Sequence, residues 1–272
     1  MRKDVLMQIM PPIFWRILCG KKAKVCGLPV VKSSKYKALI KETEGLCKDF
    51  LFPDLPLCDE KELSLMSNLK GAGINKAFYI KNFLMKSLGL QGDICEFGVA
   101  QGSTSAFMAY LIRDTSKNIW LFDSFAGLPK PSGKDLLIND TFGLGSIEAY
   151  EGKMVCSINL VKKELADIDF PITRTKIIPG FIEQTIRSAK LPDKICFAYV
   201  DFDFYKPIYI ALDFLNHTLQ RNGFIIIDDY NFFTTGAKTA VDEFMGKHGR
   251  EYRLSLPAVS AGGRFCMIEK II

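Results

Sequence analysis

The sequence predicts an α/β fold in which helices cover both faces of a largely parallel sheet. Short apolar runs alternate with stretches of helical periodicity after residue 74. The apolar runs are nearly continuous, which is typical of parallel strands buried on both faces. With 272 residues, 48% of them hydrophobic, the chain is long enough for one large domain and an additional segment.

The elements are predicted in a regular order. Apolar residues spaced for one helix face, among them Ile74, Phe78 and Leu88, predict a first helix over 74–88 that ends near Gly89. Five strands are predicted at 93–99, 118–123, 175–180, 194–201 and 223–230. Further helices are predicted at 103–112, 147–165, 183–189, 208–219 and 235–247.

The C-terminal part departs from this alternation. Residues 252–271 form two strand-like runs joined by a glycine-containing connection, with no helical pattern between them. A connection this short cannot be the crossover that joins neighbouring parallel strands. At least one of the two strands is therefore expected to run antiparallel.

The first 70 residues show no clear periodicity, and we interpret 1–70 as an accessory segment and 71–272 as the main domain. Residues 1–40 contain nine Lys and Arg residues and one acid, Asp4, so the basic character belongs to this end of the chain. This distribution argues against a nucleic-acid groove through the fold. The apolar run near the N-terminus is interrupted by Pro11, Pro12 and Arg16 and is too short to span a bilayer.

Two interpretations of this basic stretch stay open. It packs on the body of the protein or on a second subunit of a homo-oligomer, or it lies peripherally on an anionic membrane surface. We favour packing, because amphipathic segments of soluble proteins are the commoner case. The eight cysteines are scattered and include no CxxC pair, which favours reduced thiols in a cytoplasmic protein.

Acidic residues stand at the ends of four of the five predicted parallel strands, where ligands bind in open α/β sheets. The ends are Glu96 to Gly98, Asp123 to Phe125, Pro179 to Phe181, Asp201 to Asp203 and Asp228 to Tyr230. A carboxylate beside a buried strand is costly without a partner, and Mg²⁺ is a cation that carboxylates hold. The sequence therefore predicts a metal at Asp201, Asp228 and Asp229, which leaves Asp203 for another role.

Simpler interpretations of the same motifs also stay open. Gly98 and Gly102 either let a ligand approach the backbone or allow a strand and a helix to pack closely. Asp228 and Asp229 taken alone are equally well a helix N-cap pair.

Seven motifs follow one another along the chain: EFGVAQGS, LFDSFAGLPKP, YEGKMVCSINLVKKEL, PGFIEQTI, VDFDFYKP, IIIDDY and GAKTAVDEF. Together they resemble the macrocin O-methyltransferase family, whose members are class I, S-adenosylmethionine-dependent enzymes that methylate sugar hydroxyls. The resemblance extends from Asp93 to Phe244 and is most specific in DSFAGLP and in the pair VDFDFY and IDDY. The chain departs from the family at Phe204 to Ile208, where Leu-Tyr-Glu-Ser-Thr is common.

The resemblance implies a Rossmann-like class I methyltransferase sheet of seven strands with the last antiparallel. It also implies a site built from S-adenosylmethionine and Mg²⁺. The cofactor would contact Glu96, Gly98, Gly102 and Ser103 on its methionine and ribose side, Asp123 at the ribose hydroxyls, Ser124 and Phe125 beside the adenosine, and Gly180 and Phe181 near the adenine. Mg²⁺ would bind Asp201, Asp228 and Asp229, and Asp203 would be the general base.

The implied activity is methyl transfer to a hydroxyl of a sugar, nucleotide sugar, glycan or glycosylated natural product. The alternative is a metal-dependent glycosyltransferase that uses Asp201-Phe202-Asp203 as a DxD motif, although this leaves DSFAGLP without a role. A nicotinamide-dependent dehydrogenase fits less well, because Glu96 stands where its G-x-G-x-x-G loop requires glycine. A catalytically silent binding subunit also fits less well, since the set of carboxylates is intact.

Overall fold

The computed structural model describes residues 34–188, 190–258 and 264–272, which contain eight α-helices and seven strands. The strands are β1 Asp93–Phe97, β2 Ile119–Asp123, β3 Thr175–Pro179, β4 Ile195–Val200, β5 Leu219–Ile227, β6 Tyr252–Ser255 and β7 Cys266–Lys270. The helices are α1 Ser34–Phe50, α2 Glu60–Ser67, α3 Ile74–Ser87, α4 Ser103–Leu111, α5 Ile158–Ala166, α6 Ile182–Ser188, α7 Tyr205–Thr218 and α8 Gly236–His248.

All seven strands form one sheet in the order β3-β2-β1-β4-β5-β7-β6. The pairs among β1 to β5 are parallel, and β7 is antiparallel to both β5 and β6. This confirms the predicted seven-stranded sheet with an antiparallel last strand. The register places Phe97 beside Val200 and Val200 beside Ile227, so that β1, β4 and β5 end side by side.

Helices cover both faces of the sheet, as predicted, because the strands are apolar on both sides. Every residue of β4 is buried. On one face, α1 to α5 pack on the sheet through Ile40, Leu63, Phe78, Phe107 and Val161. On the other face, α6, α7 and α8 pack through Ile182, Leu212 and Phe244.

Residues 34–70 share the hydrophobic core of the first face, through α1 and α2. Asp59 caps α2 by accepting a hydrogen bond of 2.8 Å from Glu62 N, and it also accepts one of 2.9 Å from the Tyr110 hydroxyl of α4. A buried ion pair of 2.5 Å joins Lys81 of α3 to Glu62. The boundary at residue 70 stays a prediction, and the basic stretch before residue 34 lies outside the described residues.

The predicted helix at 147–165 is wrong over its first half. A 3₁₀ turn at Glu148–Tyr150 is followed by Gly152 and Met154, both with positive φ (69° and 65°), which a right-handed helix cannot accommodate. Helix α5 starts only after Ser157, whose hydroxyl caps it by accepting a 3.2 Å bond from Asn159 N.

Three further features bear on the sequence predictions. Strand β5 starts at Leu219 and ends at Ile227, so Asp228 to Tyr230 lie in the turn after it. Among the described residues, no helix combines the length and apolar character needed to cross a membrane. The six cysteines in this part of the chain are free thiols: Cys47, Cys58, Cys95, Cys156, Cys196 and Cys266.

Candidate active site

The strand ends meet at one edge of the sheet through four backbone hydrogen bonds. Gly98 N donates to Phe122 O (2.8 Å), Gly180 N to Asp123 O (2.9 Å), Asp201 N to Phe97 O (2.6 Å) and Asp228 N to Val200 O (2.8 Å). The structure therefore brings all the predicted site residues to a common edge, although they come from distant parts of the chain.

Backbone strain is concentrated at this edge. Five residues other than glycine have positive φ within four positions after the end of a parallel strand: Ala100 (46°), Phe125 (53°), Asp203 (62°), Asp229 (50°) and Asn231 (57°). They lie in the loops after β1, β2, β4 and β5. Such conformations persist only where the surrounding structure holds them, and they are enriched at functional sites.

Asp123 organises the loop after β1. Its Oδ2 accepts hydrogen bonds from Val99 N (2.8 Å) and Ala100 N (2.9 Å), and its Oδ1 accepts one from Phe125 N (2.7 Å). An ionised carboxylate has about four acceptor positions, so Oδ1 keeps one for a ligand hydroxyl. The sequence identified this aspartate but not its bonds to the loop.

Ser124 and Ser103 are engaged within the protein. The Ser124 hydroxyl donates to Gly127 O (2.7 Å) and accepts from Ala126 N (3.1 Å), which closes the turn after β2. The Ser103 hydroxyl accepts a 3.0 Å hydrogen bond from Lys70 N. This bond ties the end of the predicted accessory segment to the first turn of α4.

Glu96 is buried beneath this loop. Only 1% of it is exposed, and it accepts a hydrogen bond from the Ser105 hydroxyl. Burial raises the pKa of Glu96 to about 8; the Ser105 hydrogen bond opposes this shift and the Asp123 charge adds to it. At neutral pH Glu96 is therefore mostly a neutral acid that can itself donate a hydrogen bond.

Close packing explains two of the glycines. A Cβ on Gly98 (φ 91°) would overlap the carbonyl group of Asp201, and one on Gly102 (φ 80°) would lie 3.0 Å from the Cα of Val161 in α5. The structure thus supplies the packing reason for both residues, and a role in cofactor approach stays a prediction. Directly after β3, Gly180 has φ 126° and is followed by the half-buried Phe181, which precedes α6.

A cavity of about 400 Å³ opens beside Phe181. Its lining includes Glu183, whose Oε1 lies 3.5 Å from the Lys206 ammonium. The other carboxylate oxygen, Oε2, is buried and has no hydrogen-bond partner among the described residues. The lining of this cavity therefore combines an aromatic residue with an acidic one.

Four carboxylates form what we call the acidic rim: Asp201, Asp203, Asp228 and Asp229. Asp228 is 4% exposed and the other three are half-buried. Burial and the neighbouring carboxylates raise the pKa values of Asp201 and Asp203 well above the usual range. The same causes raise the pKa of Asp229 to about 7, and Lys76 and Arg264 oppose the shift.

Lys76, which the sequence analysis missed, forms an ion pair with this rim. It lies in the first turn of α3, with a side chain 12% exposed, and its ammonium contacts Asp228 Oδ2. Burial alone would lower the pKa of Lys76, but the charges of Asp228, Asp201 and Asp229 outweigh burial and raise it. The signal in the sequence that could have identified Lys76 was a lysine among the apolar positions of a predicted helix.

Two other residues that the sequence analysis missed fix the geometry of the rim. The buried Tyr199 of β4 donates a 2.6 Å hydrogen bond to Asp228 Oδ2. Asp135 is 1% exposed and accepts hydrogen bonds from Tyr205 N (2.6 Å) and from Ser132 N (2.7 Å). Asp135 therefore anchors the start of α7, directly after the Asp203 turn.

The donor set of the rim fits a hard dication in its chemistry. Within the described residues, the carboxylates of Asp201, Asp203 and Asp229 accept no hydrogen bond, and carboxylate oxygens are the ligands that Mg²⁺ prefers. No group of three or more acidic, cysteine or histidine side chains in this part of the chain has the arrangement of a formed metal centre. Asp228 is instead engaged by Lys76.

Comparison with known proteins identifies the family. Residues 82–256, more than half of the chain, match the family described as macrocin-O-methyltransferase (TylF). The chain belongs to the macrocin O-methyltransferase family. The predicted resemblance is confirmed, and a glycosyltransferase is not favoured.

Two curated relatives are named O-methyltransferases, and the name of the first includes a rhamnosyl unit in its substrate. The chain is 27% identical over 164 residues to 8-demethyl-8-(2,3-dimethoxy-alpha-L-rhamnosyl)-tetracenomycin-C 4'-O-methyltransferase of Streptomyces olivaceus, covering 59% of this chain and 60% of the relative. It is 28% identical over 170 residues to mycinamicin III 3''-O-methyltransferase of Micromonospora griseorubida, covering 59% of this chain and 63% of the relative. The chain thus spans about three-fifths of the length of each.

Solved structures of methyltransferases share the fold. The O-methyltransferase NovP superposes with a TM-score of 0.61 at 21% identity, over 74% of this chain and 81% of that one. The calicheamicin methyltransferase CalS11 gives a TM-score of 0.56 at 19% identity, over 91% of this chain and 99% of that one. The sheet of this protein is therefore the class I methyltransferase sheet.

Proposed function

We propose that this protein is an S-adenosylmethionine-dependent O-methyltransferase that methylates a hydroxyl of a sugar, a nucleotide sugar or a glycan, with assistance from Mg²⁺. The observation that carries the proposal is the acidic rim, which lies beside the Asp123 loop on the edge of a methyltransferase sheet. A carboxylate cluster next to a cofactor loop suits the activation of a hydroxyl, which is a poor nucleophile at neutral pH.

The cofactor would bind along the loops after β1, β2 and β3. Asp123 has one carboxylate position left for the ribose hydroxyls, and the cavity beside Phe181 would take the adenine ring. Gly98, Gly102 and Ser103 would contact the methionine side of the cofactor through their backbone atoms. Neighbouring residues occupy the space around both glycines, and the Ser103 hydroxyl already accepts a hydrogen bond from Lys70 N. S-adenosylmethionine supplies the methyl group as a sulfonium.

Asp203 would accept the proton of the acceptor hydroxyl. Its carboxylate accepts no hydrogen bond among the described residues, and burial together with the other rim charges raises its pKa, so that it holds a proton more tightly than an ordinary aspartate does. Mg²⁺ held by Asp201, Asp228 and Asp229 would supply the positive charge that lowers the pKa of the hydroxyl. The alternative assignment exchanges the two roles, with Asp203 as the metal ligand and Asp201 as the base.

The acceptor is proposed from the relatives, which are both named O-methyltransferases, one of them for a substrate that carries a rhamnosyl unit. Position 206 is a lysine in this chain, where the family often has glutamate, and Lys206 pairs with Glu183 at the cavity. This departure lies in the segment that faces the proposed acceptor side.

Isothermal titration calorimetry on Asp123→Ala tests the cofactor site. Loss of a charged acceptor should weaken binding of S-adenosylhomocysteine by about 1.5–3 kcal/mol. Asp140→Ala is a matched control, because Asp140 also accepts two backbone bonds of 2.8 Å in a loop but lies outside the strand ends. Unchanged affinity in Asp123→Ala would exclude Asp123 from the site, and binding of a UDP-sugar or of NAD instead would contradict the proposed activity.

A further inference from the structure

Lys76 is the cationic side chain that contacts the acidic rim. Among residues 34–188, 190–258 and 264–272, no other lysine, arginine or histidine forms an ion pair with any of the four rim carboxylates. Lys76 extends from α3, whereas the rim lies on the loops after β4 and β5. The contact therefore joins a helix of one face to the edge of the sheet.

This contact uses the part of Asp228 that a metal would need. Asp228 Oδ2 receives the Lys76 ammonium and the Tyr199 hydroxyl (2.6 Å), and Oδ1 receives Asp229 N (2.8 Å). A hard dication binds by direct access to carboxylate oxygens. An ammonium and a dication on the same oxygen would repel each other strongly in a buried site.

Lys76 forms an ion pair with Asp228 alone. The other three carboxylates of the rim, Asp201, Asp203 and Asp229, form no ion pair among the described residues. Arg264 forms no ion pair with Asp229, although its charge opposes the rise in the pKa of that carboxyl. Its guanidinium lies 3.6 Å from the centre of the Phe232 ring. The lysine therefore holds the most buried carboxylate of the rim, which is also one of the proposed metal ligands.

We infer that Lys76 is a tethered cation that competes with a divalent ion for Asp228, so that one displaces the other. The inference rests on the metal ligands of the proposed function and adds a residue that limits metal affinity. A lysine that only supported Asp228 as a ligand would have the opposite effect, because its removal would weaken metal binding.

Binding of Mn²⁺ to the full-length protein tests the competition without any need for methyl transfer. Mn²⁺ stands in for Mg²⁺ because both prefer oxygen ligands, and electron paramagnetic resonance counts the free ion. The variants are Lys76→Met and, as a matched control, Lys81→Met. Lys81 is also on α3 and also forms a buried ion pair, but with Glu62 of α2, away from the rim.

Competition predicts that Lys76→Met binds Mn²⁺ at least about tenfold more tightly than the wild type, the equivalent of about 1.4 kcal/mol. Saturating Mn²⁺ should also raise the melting temperature of Lys76→Met more than that of the wild type or of Lys81→Met. Equal or weaker binding in Lys76→Met, with binding retained in the wild type, would overturn the inference and leave the proposed function intact. Absence of Mn²⁺ binding in every variant, with S-adenosylhomocysteine still bound, would overturn both the inference and the metal part of the proposed function.

A second measurement needs no substitution, in case Lys76→Met does not fold. Mass spectrometry can follow reductive methylation of each lysine in the wild-type protein with and without Mn²⁺. Displacement from Asp228 should speed the labelling of Lys76 several-fold, while Lys81 should keep its rate. An unchanged rate at Lys76 under saturating Mn²⁺ would contradict the displacement.

Discussion

At the scale of single residues, this edge of the sheet buries acidic groups that differ in their partners. Glu96 has one hydrogen-bond donor, Ser105, and Asp228 has three donors. Asp203 has none among the described residues. A buried carboxylate without compensation tends to hold its proton, and burial is the main cause that raises the pKa values of Glu96 and Asp203.

Glu96→Gln should remove a pH dependence of stability. The folded-state pKa of Glu96 is raised to about 8, against about 4.3 in an unfolded chain. The stability from its protonated form is complete below the unfolded value and is lost as the pH rises through about 8. Between these two pKa values, the free energy of unfolding of the wild type should fall with rising pH, by on the order of 1 kcal/mol per pH unit because of Glu96.

Urea unfolding between pH 5 and 9 measures this effect. Glutamine keeps the shape of the side chain and cannot ionise, so the difference in unfolding free energy between Glu96→Gln and the wild type should increase with pH. The exposed Glu148→Gln is a control that should follow the wild type. Parallel curves for Glu96→Gln and the wild type would show that Glu96 does not titrate in this interval.

Asn substitutions should separate the roles of Asp201 and Asp203. Asp201→Asn removes a proposed metal ligand, so turnover should fall and added Mg²⁺ should restore part of it. Asp203→Asn removes the proposed base, so metal and cofactor binding should persist while turnover falls by about two to four powers of ten. Methyl transfer measured across a Mg²⁺ titration distinguishes the two, and rescue of Asp203→Asn alone would reverse the assignment.

At the scale of elements, strongly periodic segments were predictable and strained loops were not. The five parallel strands and the antiparallel last strand follow from apolar runs and connection lengths, which act locally. The helix predicted at 147–165 fails where Gly152 and Met154 have positive φ and the backbone bonds instead to Leu128, through Gly152 N to Leu128 O (2.9 Å) and Leu128 N to Lys153 O (2.8 Å). Lys76 reaches Asp228 across 152 positions of sequence, and no local pattern encodes that contact.

The approach of β1 to the turn after β4 requires Gly98, and an alanine there should separate the two elements. Gly98→Ala adds both an unfavourable φ and an overlap with the Asp201 carbonyl group. Gly71→Ala is a matched control, since Gly71 has nearly the same φ (90° against 91°) and nothing within 4 Å of an added Cβ. The control should lose about 1 kcal/mol of stability and Gly98→Ala clearly more.

Chemical denaturation of both glycine variants measures the difference, and calorimetry with S-adenosylhomocysteine shows whether the site moves with the strand ends. Weakened cofactor binding in Gly98→Ala alone would support the view that packing at Gly98 positions the rim. Equal losses of stability in the two variants would mean that the loop relaxes around the added methyl group.

At the scale of the whole molecule, the first 70 residues were the part least accessible to sequence analysis. Their apolar residues are too irregular to show a period, yet in the described part Ile40, Leu63, Met66 and Leu69 are buried in the same core as α3 and α4. Lys70 also bonds Ser103 at the predicted cofactor loop. The described part of 1–70 therefore shares a hydrophobic core with the main domain, and this shared core decides whether the segment can be removed without unfolding the rest.

Removal of residues 1–70 should prevent cooperative folding of the remainder. The truncation would expose the faces of α3 and α4 that α1 and α2 cover, and it would leave the buried Lys81 without Glu62. Loss of one partner of a buried ion pair is typically worth about 3–5 kcal/mol, a large share of the stability of a domain. Circular dichroism melting of the truncated chain gives the answer, and a sharp transition near that of the full chain would show that 71–272 is an independent unit.

Removal of residues 1–25 alone distinguishes the two interpretations of the basic N-terminus. If this stretch packs on the body or on a second subunit, as we expect, the deletion should lower the melting temperature or change the mass found by sedimentation. If it binds anionic lipid, the melting curve should stay nearly unchanged, and binding to vesicles that contain phosphatidylserine should disappear and depend on salt. Both measurements use the same protein pair, so an unchanged melting curve and mass together with lost vesicle binding would reverse our preference for packing.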